Sequence, residues 1–386
     1  LFGSSDFAIR IPTVIFGLLS IILVFHLIKS IYGENTGLVS SFLLAISTLH
    51  IQYSREVRYY SYLVFFSGLT MIASYKIVVE KKKGLWILLF FFSTIFNLAT
   101  QLTAVLVLLS ETIFFVIMLT LSQIKNRDSI LKKLTSGRIS FAKKLAFSLV
   151  VLAAIIICVK LINSFSGFLQ TATFKPAMPF LEAVKYVTSS LSGSNGLAFF
   201  LTALFLIGIT LGFSKNKDGS TLLLIIFLLP TLVTYLFRTP TNPGFLIRYI
   251  IFILVPFLGF AALGLTTIWK YKPILISLLI LITLLSYTPI KNYYSMTRGD
   301  WRGAANYIKS NGDRGDIVIP DGDWNLVLLD YYLQHEKNGL IIKKPVAPLT
   351  PQVIPFRIFY FQHDYQKPDG TINFDELFIT DYEKAI

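Results

Sequence analysis

Residues 11–32 read Ile-Pro-Thr-Val-Ile-Phe-Gly-Leu-Leu-Ser-Ile-Ile-Leu-Val-Phe-His-Leu-Ile-Lys-Ser-Ile-Tyr, and this stretch decides the fold class. A helix needs about 20 mostly apolar residues to cross the hydrocarbon core of a bilayer. Arg10 precedes the stretch and Lys29 lies near its end, where long cationic side chains reach the headgroups. Gly33 to Asn35 supplies a turn, and the pattern then repeats. Further spans are expected from Gly37 to about Tyr53, from the Ser54 to Tyr62 cluster to Lys81-Lys82-Lys83, and near 145–163, 196–213, 220–237, 248–269 and 273–289. Leu85 to Leu121 is too long for one crossing and carries polar Asn97 to Thr103 at its middle, which reads as a hairpin of two spans. The expected fold is an all-α polytopic membrane bundle of about ten transmembrane helices over residues 1–290, followed by a small C-terminal α/β domain over residues 291–386.

Composition agrees. The chain is 54% hydrophobic with a mean hydropathy of +0.66, too apolar for a water-soluble domain of ordinary make-up. Up to Ile290 there are 24 Lys and Arg against 8 Asp and Glu; beyond it, 11 against 13. The basicity therefore belongs to the loops between apolar runs. Alternate loops hold fifteen cations, among them Lys81 to Lys83 and seven between Lys125 and Lys144, whereas the opposite loops hold seven, five of them arginine. By the positive-inside bias the arginine-bearing loops and the tail face away from the cytoplasm, which places the chain in the inner or plasma membrane with an extracytoplasmic C-terminal domain. In that tail, Trp301, Ala304, Ala305 and Ile308 have helical spacing, and Asp316 to Pro320 reads as a short strand.

Several function classes lack their residues. Cations confined to short connectors do not make the continuous basic face that nucleic acid needs. Cys158 is the single cysteine and sits among isoleucines, as a buried thiol would. His26, His50, His335 and His363 have no metal-ligand spacing, so no metal site and no cofactor are predicted. Asp321-Gly-Asp323 fits a turn better than a metal motif, and Leu326 and Tyr332 stand where a calcium loop requires glycine and glutamate. No signal peptide is visible ahead of Leu1, and a longer protein with a preceding segment is expected.

The densest chemistry lies in Tyr53-Ser-Arg-Glu-Val-Arg-Tyr-Tyr-Ser-Tyr62. Helical geometry over 55–62 would set Arg55 and Arg58 one turn apart, with Tyr62 four residues beyond Arg58. Guanidinium groups present a fork of donors that matches phosphate oxygens, and Glu56 could orient one of them or bind a sugar hydroxyl. Arg248-Tyr249 follows a proline-punctuated loop and opens the next span; Arg10 sits just before Ile11-Pro12. Arg10, Arg55, Glu56, Arg58, Tyr59, Tyr62, Arg248 and Tyr249 are thus the candidate substrate-binding residues. The same arginines and tyrosines also suit an interfacial belt with no further role. Glu111 stands inside a span, where a carboxyl is costly unless it meets a polar group on a neighbouring helix.

Phe2-Gly-Ser-Ser-Asp-Phe-Ala-Ile-Arg-Ile-Pro-Thr-Val-Ile-Phe-Gly-Leu-Leu-Ser and Ala45-Ile-Ser-Thr-Leu-His-Ile-Gln-Tyr-Ser-Arg-Glu-Val-Arg-Tyr-Tyr-Ser-Tyr resemble the bacterial GT-C glycosyltransferases related to dolichyl-phosphate-mannose protein mannosyltransferases. Gly244-Phe-Leu-Ile-Arg-Tyr and Asp300-Trp-Arg-Gly-Ala-Ala-Asn-Tyr-Ile resemble the same family. The resemblance implies a membrane enzyme that transfers a hexosyl or pentosyl group from a polyprenyl-phosphate-linked sugar donor to a glycan, lipid or protein acceptor outside the cytoplasm, with inversion. It implies an acidic base in a first outer loop, expected ahead of Leu1; Asp6 matches a different acidic position of the family. A lipid-linked sugar flippase or a non-catalytic membrane subunit is the alternative. Charged candidates gathered at one mouth, rather than spread at mid-membrane with inverted repeats, favour the enzyme.

Overall fold

The computed structural model describes residues 6–125, 173–174, 179–238, 246–295, 301–311, 317–320, 331–333, 341–342, 358–361 and 378–379. The expected span near 145–163 with Cys158, the basic stretch 126–144, and Asp321-Gly-Asp323 lie outside the described residues. Contacts divide the chain into two compact units, Leu1–Ile290 and Lys291–Ile386.

The first unit is built of helices: α1 (Asp6–Tyr32), α2 (Glu34–Ala45), α3 (Thr48–Arg55), α4 (Tyr60–Val78), α5 (Leu85–Thr100), α6 (Val105–Lys125), α7 (Phe180–Ser192), α8 (Asn195–Lys215), α9 (Lys217–Leu236), α10 (Leu254–Leu265) and α11 (Lys272–Ser295). A 3₁₀ segment, Ile247–Ile253, leads into α10. Among the described residues, seven helical stretches are long and apolar enough to cross a membrane. They are Ala8–Tyr32, α4, Leu102–Leu121, α8, α9, Ile247–Ile268 and α11. Large apolar side chains such as Leu18, Val116, Phe199 and Leu284 stand exposed on these helices, a surface that lipid solvates and water would not.

Residues 251–265 are buried without exception, so α10 is the axis of the bundle. Its closest neighbour is α8. A Cβ added at Gly208 would lie 1.8 Å from the Phe260 carbonyl oxygen, and one at Gly264 would lie 2.3 Å from that of Leu204. Two glycines thus let the backbones touch, the usual device where burial of apolar surface cannot draw helices together in lipid. At the turn between α8 and α9, Asn216 donates to the Ile31 carbonyl at 3.1 Å and to the Tyr75 hydroxyl at 2.8 Å, while Tyr32 and Ser220 share a hydrogen bond of 2.8 Å. These polar contacts tie α1, α4 and α9 together at the ends of α1 and α4.

Two expectations change here. The span from Gly37 to Tyr53 is a broken helix: α2 stops at Ala45, and Ser47, in extended backbone, starts α3 by accepting from the His50 N–H at 3.4 Å. A serine at an N-cap competes with helix continuation by offering its own acceptor. His50 then fixes α3 to α1 through Nε2 and the Gly17 carbonyl at 3.1 Å. The interval between the spans expected near 145–163 and 196–213, read as non-spanning, contains α7, whose buried residues include Ala183, Val187 and Leu191. The break after α5 falls where the sequence places it. Gln101 is extended (φ −159°, ψ 145°), and a short 3₁₀ turn, Leu102–Ala104, leads into α6. From there α5 packs on α4, and α6 packs mainly on α9 rather than back along α5.

The second unit contains α12 (Trp301–Asn311), with Ala304, Ala305 and Ile308 buried, and a four-stranded mixed sheet. Its strands are β3 (Ile317–Pro320), β4 (Ile341–Ile342), β5 (Ile358–Phe361) and β6 (Phe378–Ile379), after β1 (Thr173–Phe174) and β2 (Phe237–Arg238) of the first unit. The sheet order is β4-β3-β5-β6, with β3 parallel to β4 and β5, and β6 antiparallel to β5.

Candidate functional site

The segment between α3 and α4 carries the candidate cluster, and it is not one helix. Arg55 is the last residue of α3, because Glu56 takes extended backbone (φ −77°, ψ 132°). The Arg58 N–H folds back to the Glu56 carbonyl at 2.8 Å, and α4 restarts at Tyr60. Arg55 and Arg58 therefore do not share a helical face, and Tyr62 does not sit one turn beyond Arg58 on a common helix face with Arg55. Arg58 is exposed in the bend, while Arg55 and Glu56 are half-buried. Tyr62 turns toward α1, its ring 4.6 Å from that of Phe16. Arg10 is exposed on α1.

Arg248 and Tyr249 do come to this segment. The Tyr53 and Tyr60 rings meet edge to face at 4.6 Å, and the Tyr59 ring lies tilted against Tyr60 at 4.7 Å. Arg248 lies within electrostatic reach of the Tyr53 and Tyr60 hydroxyls. Its guanidinium sits 5.2 Å from the Tyr249 ring centroid, and one of its terminal N–H groups donates to the Tyr249 hydroxyl at 3.4 Å. The Arg248 Nε is buried with no acceptor, and no carboxylate forms a salt bridge with this residue among the described ones.

Three elements hold this arrangement. Tyr186, on α7, accepts from the Ile247 N–H at 3.3 Å. Thr103, in the turn between α5 and α6, donates to the Tyr249 carbonyl at 2.5 Å. The 3₁₀ backbone of Ile247–Ile253, irregular at Ile250 (φ −121°, ψ 29°), leaves carbonyls open to such partners. Tyr53, Tyr60, Thr103 and Tyr186 are thus site residues that the sequence reading did not select. Only Tyr186 carried a local signal, since Ala183, Val187 and Leu191 mark its helix at helical spacing.

Chemically, a cation without a carboxylate partner, ringed by phenols and opening a buried span, suits an anion whose oxygens accept several hydrogen bonds. Among the described residues no group of three or more His, Cys, Asp or Glu side chains gathers to hold a metal.

Residues 1–162 match the family model described as dolichyl-phosphate-mannose-protein mannosyltransferase. Over that stretch the chain is similar to these mannosyltransferases. The resemblance carried by Phe2 to Ser20 and Ala45 to Tyr62 is borne out. The matched part of the chain supplies α1 to α6 and hence Tyr53 to Tyr62 and Thr103; Tyr186, Arg248 and Tyr249 come from beyond it. No curated protein matches the chain.

Two solved structures share the fold. One is the archaeal oligosaccharyltransferase AglB from Archaeoglobus fulgidus, in complex with an inhibitory peptide and a dolichol-phosphate, at 12% identity and a TM-score of 0.53 over 88% of this chain and 53% of that one. The other is the Archaeoglobus fulgidus oligosaccharyltransferase in complex with Zn and sulfate, at 13% identity and a TM-score of 0.53 over 88% and 51%. The chain spans about half the length of the solved structures it matches. At such identity the likeness shows fold alone.

Proposed function

We propose that this protein is an integral membrane glycosyltransferase of the GT-C type, which transfers a sugar from a polyprenyl-phosphate carrier to a glycan, lipid or protein acceptor outside the cytoplasm. The observation that carries this reading is Arg248, a cation with a buried, unsatisfied Nε among Tyr53, Tyr60 and Tyr249. The mannosyltransferase family match and the dolichol-phosphate held by a protein of the same fold support a lipid phosphate as the anion.

In the proposed reaction the acceptor hydroxyl oxygen attacks the anomeric carbon from the face opposite the phosphate. Its proton leaves to a base as the new C–O bond forms, and the bond from that carbon to the phosphate oxygen breaks. The phosphate departs with the electron pair. Arg248, aided by Arg55, Arg58 and Arg10 at the same end of the bundle, neutralises the charge that develops there, which is electrostatic catalysis in a site of low dielectric. Glu56 and Tyr59 would contact the sugar or acceptor. The arginine-bearing end faces the extracytoplasmic side in this reading, as the positive-inside distribution supports, and the second unit forms a small extracytoplasmic α/β domain.

The test is a panel of radiolabelled polyprenyl-phosphate sugars, hexosyl and pentosyl, incubated with membranes that contain the full-length chain. Transfer of label from one donor to an endogenous acceptor is expected. Movement of intact labelled lipid across the bilayer with no donor consumed would replace the enzyme with a flippase.

A further inference from the structure

Helix α7 has 13 residues, about 20 Å of helix, and is too short to cross a bilayer. Both of its ends lie at the Arg248 end of the bundle. At the first, the Phe180 ring meets that of Tyr235, in the last turn of α9, at 6.3 Å. At the other, Gly193 closes the helix in the left-handed region (φ 83°), so near α3 that an added Cβ would lie 2.8 Å from the Thr48 hydroxyl oxygen. Between them Tyr186 accepts from the Ile247 N–H, beside Arg248. The helix therefore runs across this end of the bundle. Its surface divides into three stripes. Ala183, Val187 and Leu191 are buried. Glu182, Lys185 and Ser189, at helical spacing, are polar, and the first two are exposed. Phe180, Leu181 and Val184 fall between those stripes, apolar yet 62%, 79% and 43% exposed. The exposure continues into the next helix, where Phe199, in the second turn of the span α8, is 85% exposed.

From this geometry we propose that α7 is an interfacial helix, with Phe180, Leu181 and Val184 seated among the phospholipid acyl chains of the leaflet at the Arg248 end, and Glu182, Lys185 and Ser189 turned to headgroups and water. A short helix with an apolar stripe beside a charged one lies in the plane of the membrane interface. Three observations select the bilayer as the occupant of the apolar stripe: the helix crosses the end of a membrane bundle, its charged stripe adjoins the apolar one, and the next helix carries on the same exposure at Phe199 on a lipid-facing span. The lipid seat gives a base to the helix whose Tyr186 holds Ile247 in place. This inference rests on the first unit being a membrane bundle and stands whether or not the protein transfers a sugar.

The experiment places the full-length chain, carrying Cys158→Ser, in nanodiscs of phosphatidylcholine and phosphatidylglycerol, with one spin label at a time on Leu181→Cys, Val184→Cys or Glu182→Cys. Collision of each label with oxygen, which concentrates in lipid, is compared with collision with a water-soluble nickel chelate. The Leu181 and Val184 labels should favour oxygen and report a depth of about 5–10 Å into the headgroup and acyl boundary. The Glu182 label should favour the chelate. If the Cys158→Ser background does not fold, p-benzoylphenylalanine in place of Leu181 in the otherwise unaltered chain, irradiated in the same nanodiscs, should yield phospholipid adducts by mass spectrometry, and the same group in place of Glu182 few. Chelate access at Leu181 equal to that at Glu182, or no phospholipid adduct from position 181, overturns the proposal and puts the stripe in water. A Leu181 label hidden from both reagents, or crosslinks from position 181 into protein alone, also overturns it and makes the stripe a protein contact.

Discussion

The Thr103 hydroxyl donates to the main-chain carbonyl of Tyr249 at 2.5 Å, joining the break between α5 and α6 to the start of the bundle's buried axis. Arg248 is the adjoining residue, so this bond sets the direction in which the guanidinium leaves the backbone. Thr103→Val keeps the shape and removes the donor. A net hydrogen bond is worth about 1 kcal/mol, so transfer should fall roughly fivefold in kcat/KM. Membrane insertion should be unchanged, and Thr103→Ser should restore most of the activity. Equal rates for Thr103→Val and the parent would separate this bond from the site.

The touching backbones of α8 and α10 give a stability prediction. Gly208→Ala would drive a methyl into the Phe260 carbonyl, where no side chain can rotate away. The helices must part, and overpacking of this kind costs roughly 3 kcal/mol. Gly196→Ala is the control on the same helix, since nothing lies within 4 Å of an added Cβ there. Thermal unfolding in detergent should show a large drop for the first variant and little change for the second.

Beyond the end of α4, Glu80 takes ion pairs from Lys76 and Lys82. Partial burial raises its pKa, but the hydrogen bonds from the two lysines outweigh that effect and hold it below the ordinary carboxylate value. A depressed folded pKa contributes stability that is fully present above the unfolded value, about 4.3, and is lost as pH falls through the folded value. Glu80→Gln should therefore lower stability slightly near neutral pH, by under about 1 kcal/mol for so partly exposed a pair. The difference from the parent should close as the pH falls below about 4.

Local patterns in the chain announced most of the bundle, and contacts across it announced little of the site. The run from Ile11 to Tyr32, the polar interruption at Asn97 to Thr103 and the helical spacing of Ala304, Ala305 and Ile308 each depend on neighbours within a few turns, and each is legible as written. The N-cap at Ser47 was not, because a serine inside an apolar run reads equally as a helix-interior residue bonded to the preceding turn. Bringing Arg248 beside Tyr53 and Tyr60, and Tyr186 beside Ile247, is a matter of tertiary packing that no period in the sequence encodes. The helical spacing imagined for Arg55 and Arg58 failed because Glu56 leaves the helix, a backbone choice that the residue type does not announce.

The central claim is that Arg248 neutralises a departing lipid phosphate. It is tested most directly by single-turnover transfer of radiolabelled sugar from a polyprenyl-phosphate donor, comparing the parent, Arg248→Ala and Arg248→Lys at matched levels of inserted protein. The account predicts a loss of about a hundredfold or more for Arg248→Ala, as for removal of one transition-state donor. Arg248→Lys should recover only part of it, because an ammonium keeps the charge without the fork. Parent-level transfer by well-inserted Arg248→Ala would contradict the account.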